Sequence, residues 1–385
     1  MQKIDPAKAG FDARRLGNLG EIIQRDIDNV MYDGCVVIVA RKSGVVFHEA
    51  FGFAERDTKR KMEKGSLFHT MSTGKQFTAA MALNRVELGD LRLTTMVREL
   101  VPEFATRGKN AVNLFHLLTH TAGLVTDMIP GITLETWGNL EANIKALCGT
   151  AAINLPGERV TYSAYAGAAM TAEMVRRVDP KKRAWRDIVR QEMFEPLGMM
   201  ETAAGLPNSR RDRICPIMPR GEKVRDDVKM VNQMINEEFE IPAGGYTTTA
   251  EDMHRFVTML LNKGELDGFR FLSPATLELV AQNHTGDDDN IWYGRDVVEG
   301  RWPPQPSNYG LGFFTRGEGV HPMPFGALAS PRTFGGLGHG STMFWIDPVR
   351  DLSMVFLSTG LIDEWDNFQR CQRYSDVVHA SLLSW

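Results

Sequence analysis

The sequence predicts an α+β fold in which an antiparallel sheet flanked by helices is built from both ends of the chain, with a mostly helical domain inserted between them. Three observations lead there. Strand-like apolar runs lie near the N-terminus (35–40 and 45–50) and again near the C-terminus (309–315, 335–346 and 352–358). The long middle carries apolar residues at helical spacing. Amphipathic helices bracket the strand runs at both ends, over 11–29 and 366–383. Residues 1–62 and 240–385 are therefore expected to form the sheet domain, and residues 63–239 the helical one.

Taken in order, Phe11 to Asn29 places Leu16, Leu19, Ile22, Ile23 and Ile27 on one helical stripe. The runs Cys35–Ala40 and Val45–Ala50, separated by the turn-like Arg41-Lys42-Ser43-Gly44, read as a hairpin. From Gln76 to Leu88 the residues Phe77, Met81, Val86 and Leu88 again recur at helical spacing. Leu117 to Leu124 reads as a helix running into a turn at Gly123, with His120 at its end, where a histidine can take part in catalysis but more often caps carbonyls. Pro156-Gly157-Glu158 is a turn signal before Val160-Thr161-Tyr162-Ser163-Ala164-Tyr165 and a small-residue helix, Ala166 to Val178. A further helix is expected from Ile188 to Phe194. Thr249-Ala250-Glu251-Asp252 and Ser273-Pro274 have the form of helix starts.

Two stretches have no clean period. Val125 to Leu140, with Trp137, reads as a lid or pocket wall. His284 to Asn308 holds Trp292, Tyr293, Trp302 and three prolines, and a segment of that length without an element of its own is expected over the mouth of a site.

Composition excludes several function classes. The 43% hydrophobic and 24% charged fractions are those of an ordinary globular chain. With 44 basic and 48 acidic residues, and no basic stretch interleaved with aromatics, nucleic acid is not an expected partner. No apolar run is long enough to span a membrane, and Met1 to Arg15 has no signal-type apolar core, so the expected location is cytoplasmic. Cys35, Cys148, Cys215 and Cys371 are widely spaced and form no CxxC or Cys/His cluster, which favours buried thiols over disulfides or zinc ligands. Asp287-Asp288-Asp289 lacks the spacing and the glycine of a calcium loop. Neither a metal nor a cofactor is expected.

The chemistry concentrates in Met71-Ser72-Thr73-Gly74-Lys75, at the head of the 76–88 helix. Ser72 and Lys75 form an SxxK pair, and a three-residue spacing is close to one helical turn, so hydroxyl and ammonium face the same side. A serine hydroxyl needs a nearby base, and a lysine whose amine is made neutral by burial can be that base. The helix start adds backbone N–H groups that favour a developing oxyanion. No GxSxG, HExxH, Walker loop or GxGxxG competes with this assignment.

Further stretches follow SxxK in a fixed order: Leu117 to Leu124, Pro156-Gly157 with Tyr162-Ser163, Gly244-Gly245-Tyr246 with Thr249 to Asp252, Gly264-Glu265-Leu266-Asp267-Gly268, and Tyr309-Gly310-Leu311-Gly312. With them the chain, from roughly residue 15 to residue 360, resembles the serine β-lactamase and penicillin-binding-protein-like superfamily, in particular its class C-like branch with the family VIII carboxylesterases. The resemblance implies a β-lactamase/transpeptidase-like fold with the active site at the junction of the two domains. It also implies Ser72 as nucleophile, Lys75 and Tyr162 sharing base and acid duty, and a covalent acyl-enzyme hydrolysed by water. A lysine ammonium near Tyr162 would favour its phenolate.

Two departures from the family pattern bear on substrate. In the β-lactamases of this branch an Asn stands two residues after the tyrosine; here Ala164 does. The third motif, a Lys, His or Trp followed by any residue and Gly, has two registers. Counting back from Asp347-Pro348 gives Gly336-Leu337-Gly338, with the N–H of His339 joining that of Ser72 as oxyanion hole. Matching by residue type gives His339-Gly340-Ser341, with the N–H of Thr342 instead. Both registers remain open at this stage.

The implied activity is a serine hydrolase on small or medium acyl esters, carboxylesterase-like, with a small-molecule ester or amide as partner. Its rivals are an acyltransferase, a β-lactamase or D-amino-acid peptidase, and a non-catalytic binding relative. Trp137, Ala164, Trp292, Tyr293 and Trp302 are the expected substrate-binding residues.

Overall fold

The computed structural model describes residues 2–42, 44–220, 231–286, 303 and 306–384. A seven-stranded sheet drawn from both ends of the chain carries the architecture. Its strands are β1 (Gly34–Arg41), β2 (Gly44–Glu55), β3 (Arg60–Lys61), β4 (Phe314–Thr315), β5 (Phe334–Gly338), β6 (Thr342–Asp347) and β7 (Leu352–Ser358), in the spatial order β4-β5-β6-β7-β1-β2-β3. All pairings within it are antiparallel. The link between the two ends is the β1–β7 pair, in register from Cys35 opposite Ser358 to Arg41 opposite Leu352.

β1 is buried along its whole length because both faces of the sheet are covered. Val36 and Ile38 point to one side, and Cys35, Val37 and Val39 to the other. The second side is closed by α1 (Ala13–Asp28) and α5 (Glu364–Ala380), which pack against each other across the sheet. Leu16, Leu19, Ile23 and Ile27 of α1 are buried there, as the helical stripe predicts. Each such side chain contributes roughly 1.5–3 kcal/mol.

The first side receives α2 (Lys75–Glu87) and α4 (Ala250–Leu261), and α3 (Ala166–Val178) packs on α2. Thr249 caps α4 by accepting a hydrogen bond from the Asp252 N–H at 3.2 Å. Phe77 of α2 meets Phe256 of α4 edge-on, with ring centroids 4.8 Å apart. Phe256 in turn meets Phe344 of β6 edge-on, with ring centroids 6.0 Å apart, which ties the helical layer to the sheet.

Three expectations are corrected. The single strand expected over 335–346 is two, β5 and β6, because Gly340 takes φ +59° and the Ser341 N–H bonds to the Gly338 carbonyl, which closes a hairpin turn. The strand expected over 309–315 pairs with β5 only at Phe314 and Thr315, since Gly312 turns the chain at φ +77°. The helix expected from Ile188 is α-helical over Trp185–Val189 and widens to π geometry over Arg190–Phe194. Cys35, Cys215 and Cys371 are buried, Cys148 is half-buried, and all four thiols are free. Among the described residues no helix is long and apolar enough to cross a membrane, and no group of His, Cys, Asp or Glu is arranged to hold a metal ion.

Candidate active site

Ser72 sits in a single 3-10 turn, Met71–Gly74, that leads directly into α2. Neighbouring segments hold that turn. The Thr342 hydroxyl on β6 donates to the Thr70 carbonyl at 2.7 Å, and the Thr70 hydroxyl donates to the Gly244 carbonyl at 3.1 Å. Met71 takes φ +50°, a conformation rare for a residue with a side chain, directly before Ser72. Such a conformation persists where the surroundings over-determine it, and it leaves the Ser72 side chain half-exposed in a cleft.

One turn on, the Lys75 amine lies 2.9 Å from the Ser72 hydroxyl oxygen and 3.3 Å from the Ala243 carbonyl. Lys75 is only 7% exposed. Among the described residues no carboxylate pairs with it, and burial pushes its pKa down to about 7. The free amine, which has a lone pair to accept the serine proton, is thus populated at neutral pH.

Tyr162 arrives from the other side. The segment carrying it runs along residues 120–126, with the Thr161 N–H bonded to the His120 carbonyl at 2.8 Å and the Ala164 N–H to the Thr126 carbonyl at 2.9 Å. The Tyr162 hydroxyl hydrogen-bonds the Ser72 side chain. The Lys75 amine lies 5.1 Å from the ring centre. Burial pushes the phenol above its ordinary pKa, so the group beside Ser72 is phenol. The expectation of a lysine-favoured phenolate is reversed: desolvation raises the proton affinity of the tyrosine while lowering that of the lysine.

Among the described residues the His120 ring caps no helix carbonyl. Its Nδ1 accepts the Ser163 N–H at 3.2 Å, and its ring packs on Tyr162 at 4.6 Å and on Tyr309 at 4.9 Å between centroids. Burial, with the nearby Lys75 as a smaller cause, pushes its pKa down to about 3, so it is a neutral wedge that fixes the Tyr162 ring.

β5 runs along the turn that holds Ser72, but the predicted third-motif residues face different ways. Gly336 packs on the Gln76 side chain of α2. Gly338 lies against the turn itself, where a Cβ would come within 2.8 Å of the Thr70 carbonyl oxygen and 2.9 Å of the Met71 Cβ. Leu337 and His339 line the cleft, whereas Gly340 and Ser341 belong to the β5–β6 turn. The Ser341 carbonyl accepts from the Ser358 hydroxyl at 2.7 Å, on the buried side.

The cleft in front of Ser72 is mostly apolar, walled by Trp137, Tyr165, Phe239, Ile241, Phe314 and Leu337. Ala164 is part of its lining. Trp292, Tyr293 and Trp302 lie outside the described residues, as does most of the 284–308 stretch. Sequence reasoning missed much of the cleft lining, His69 and Glu364 among it. His69 is 5% exposed, its pKa is held down to about 4 by burial, and its Nδ1 has no hydrogen-bond partner among the described residues. Glu364 reaches the cleft from the first turn of α5, nearly three hundred residues after Ser72.

A family model described as Beta-lactamase matches residues 21–377, nearly the whole chain. The chain belongs to the beta-lactamase family. Esterase EstB of Burkholderia gladioli is 30% identical over 178 residues, which covers 42% of this chain and 45% of that one. A penicillin-binding protein homolog from Caulobacter crescentus has the same fold, with a TM-score of 0.78 at 23% identity over 96% of this chain and 98% of its own. A family VIII carboxylesterase superposes with a TM-score of 0.72 at 20% identity, covering 94% of this chain and 99% of its own. The beta-lactamase family fold accounts for the antiparallel sheet flanked by helices and drawn from both termini.

Proposed function

We propose that this member of the beta-lactamase family is a serine hydrolase that forms an acyl-enzyme on Ser72 and acts on carboxylic esters of small or medium acyl groups. The observation that carries the reading is the 2.9 Å contact between the Ser72 hydroxyl and a lysine whose pKa burial brings down to about 7. A base of that strength is half deprotonated at neutral pH, where general-base catalysis is most effective.

In this reading the neutral Lys75 amine removes the Ser72 proton as the oxygen attacks the ester carbonyl. The Tyr162 phenol, already bonded to Ser72, passes a proton to the departing alkoxide and recovers one from the lysinium. Water then attacks the acyl-enzyme along the same path in reverse. The N–H groups of Ser72 and His339 receive the negative oxygen in both half-reactions. The close packing of Gly338 on Thr70 and Met71 favours this register, since it brings the end of β5 beside the nucleophile.

Esters are favoured over amides by the cleft wall. Ala164 offers no side-chain amide to a substrate amide, and its own N–H is already bonded to Thr126. The cavity of about 130 Å³ is close to the size of an apolar cavity that takes up benzene, about 150 Å³, which suits an acyl group of that bulk. The similarity to Esterase EstB points the same way.

The test is a panel of p-nitrophenyl esters of increasing chain length, with a cephalosporin and a D-alanyl peptide alongside, assayed on the parent protein and on Ser72→Ala. Fluorophosphonate labelling of the parent but not of Ser72→Ala, with turnover lowered at least about a thousandfold, is expected. Equal turnover by the two proteins would sink the assignment, and faster turnover of the cephalosporin than of every ester would replace it with a lactamase.

A further inference from the structure

The turn after β5 is held by the C-terminal helix at both its donor and its acceptor groups. Glu364 Oε2 accepts the Gly340 N–H at 2.9 Å and lies 3.1 Å from His339 Nδ1. Arg370, six residues on and fully buried, donates from Nη2 to the Gly340 carbonyl at 3.0 Å, with the Ser341 carbonyl at 3.4 Å. The Ile362 N–H donates to the same Gly340 carbonyl at 3.2 Å. At φ +59° Gly340 also has no room for a side chain, because a Cβ would meet the Ile362 carbonyl at 2.6 Å. Among the described residues the only carboxylate in this clamp is Glu364, 13% exposed and facing the cleft that holds Ser72.

We infer that Glu364 is a positioning residue for the oxyanion hole. By fixing the Gly340 N–H and the His339 ring together, it sets the peptide planes on either side of His339 and so the direction of the His339 N–H. The inference rests on the serine-hydrolase reading and adds a residue that touches neither the acyl carbon nor the leaving group. The physical need is plain. An oxyanion donor works only when aimed at the position the oxygen takes in the transition state, and a misplacement of about 1 Å costs on the order of a hundredfold in rate. A glycine-containing hairpin turn would not hold that aim unaided, because glycine gives the backbone freedom that other residues do not.

A pair of conservative variants separates position from charge. Glu364→Gln loses the negative charge but keeps an acceptor oxygen at the same reach. Glu364→Asp keeps the charge, suits the first turn of a helix, and falls short by one methylene. A positioning role requires Glu364→Gln to stay within about threefold of the parent in kcat, and Glu364→Asp to fall about ten- to a hundredfold with KM changed less than about threefold. The fall appears whichever half-reaction limits the rate, since both pass through an oxyanion.

Phenylboronic acid gives a second readout, because its tetrahedral adduct on Ser72 places an oxygen in the hole. Its affinity should drop in Glu364→Asp in step with kcat, while inhibition by the product carboxylic acid stays unchanged. Parent-like kcat in Glu364→Asp, or a loss in Glu364→Gln as large as that in Glu364→Asp, overturns the positioning role and leaves the hydrolase reading standing. A parent protein with neither Ser72-dependent turnover nor boronate affinity overturns the hydrolase reading, and this inference with it.

Discussion

Lys75 gives the sharpest quantitative test. Burial takes its pKa from 10.5 down to about 7, which penalises the ammonium by about 5 kcal/mol at roughly 1.4 kcal/mol per pH unit. If Lys75 is the base proposed above, its free amine must be present for acylation, and the sign follows: activity is retained above pH 7 and lost as pH falls below it. The free-base fraction is about nine-tenths at pH 8, about one-tenth at pH 6 and about one-hundredth at pH 5. The expected kcat/KM for an uncharged ester therefore rises about tenfold per pH unit up to 7 and levels off above it. An ordinary lysine would keep the profile climbing past pH 10. The same burial has a cost in stability. Between pH 7 and 10.5 the unfolded chain holds a proton that the folded chain has released, so the stability change at this site rises with pH across that window. Lys75→Met, which removes the buried amine but keeps its length, should abolish turnover and raise unfolding free energy, by about 3 kcal/mol more at pH 6 than at pH 9. The assays are initial rates from pH 5 to 10 and urea unfolding at the two pH values. A rate profile flat from pH 5 to 9, or a variant no more stable than the parent at pH 6, would refute the reasoning.

Two further outcomes follow from the same geometry. Tyr162→Phe should lower kcat by about a hundredfold or more with little change in KM, and the double variant with Lys75→Ala should be scarcely worse than either single one, because in the proposed mechanism the two groups handle one proton; additive losses in log rate would show that they act separately. Ala164→Asn places an amide in the cleft wall beside Ser72, so amide turnover should gain relative to ester turnover by a factor of about 5 to 100, the worth of one hydrogen bond to a buried polar group; an unchanged ratio across matched ester and amide pairs would remove Ala164 from the account of specificity.

What was legible in the sequence divides along physical lines. Helical stripes and apolar runs report local periodicity, so α1, α3, β7 and the sheet built from both termini were all readable from the residues alone. The split of 335–346 into β5 and β6 was not, because four glycines in one stretch fit a strand pressed against a ligand and a tight turn equally well. The left-handed Gly340 and the hydrogen bond from the Ser341 N–H to the Gly338 carbonyl decide for the turn. Ser72 and Lys75 were visible because their spacing is itself local chemistry. The proton affinities were not, because they depend on what surrounds the groups. Tyr162 beside a lysine suggests a phenolate on charge alone, and desolvation, the larger effect here, reverses the direction.

Glu364 marks where sequence reading ends. Nothing in Asp363-Glu364-Trp365-Asp366 distinguishes it from any helix start: Asp363 caps by accepting the Trp365 N–H at 3.0 Å, and acidic residues are common in a first turn. Its importance comes from topology. β1 pairs with β7, α5 follows β7, and α5 packs against α1. The first turn of α5 is thereby carried to the β5–β6 turn, and that turn ends the strand that runs along Ser72. Three stretches that are far apart in sequence meet there: the 3-10 turn at 71–74, the segment through Tyr162, and the clamp of Glu364 and Arg370 on Gly340. The low pKa of Lys75 depends on the same closure, since its only cause is burial. The proposed base and oxyanion hole are therefore joint products of packing the helical layer on the sheet. A variant that loosens the β5–β6 turn without unfolding the chain should impair the chemistry before it weakens ground-state binding.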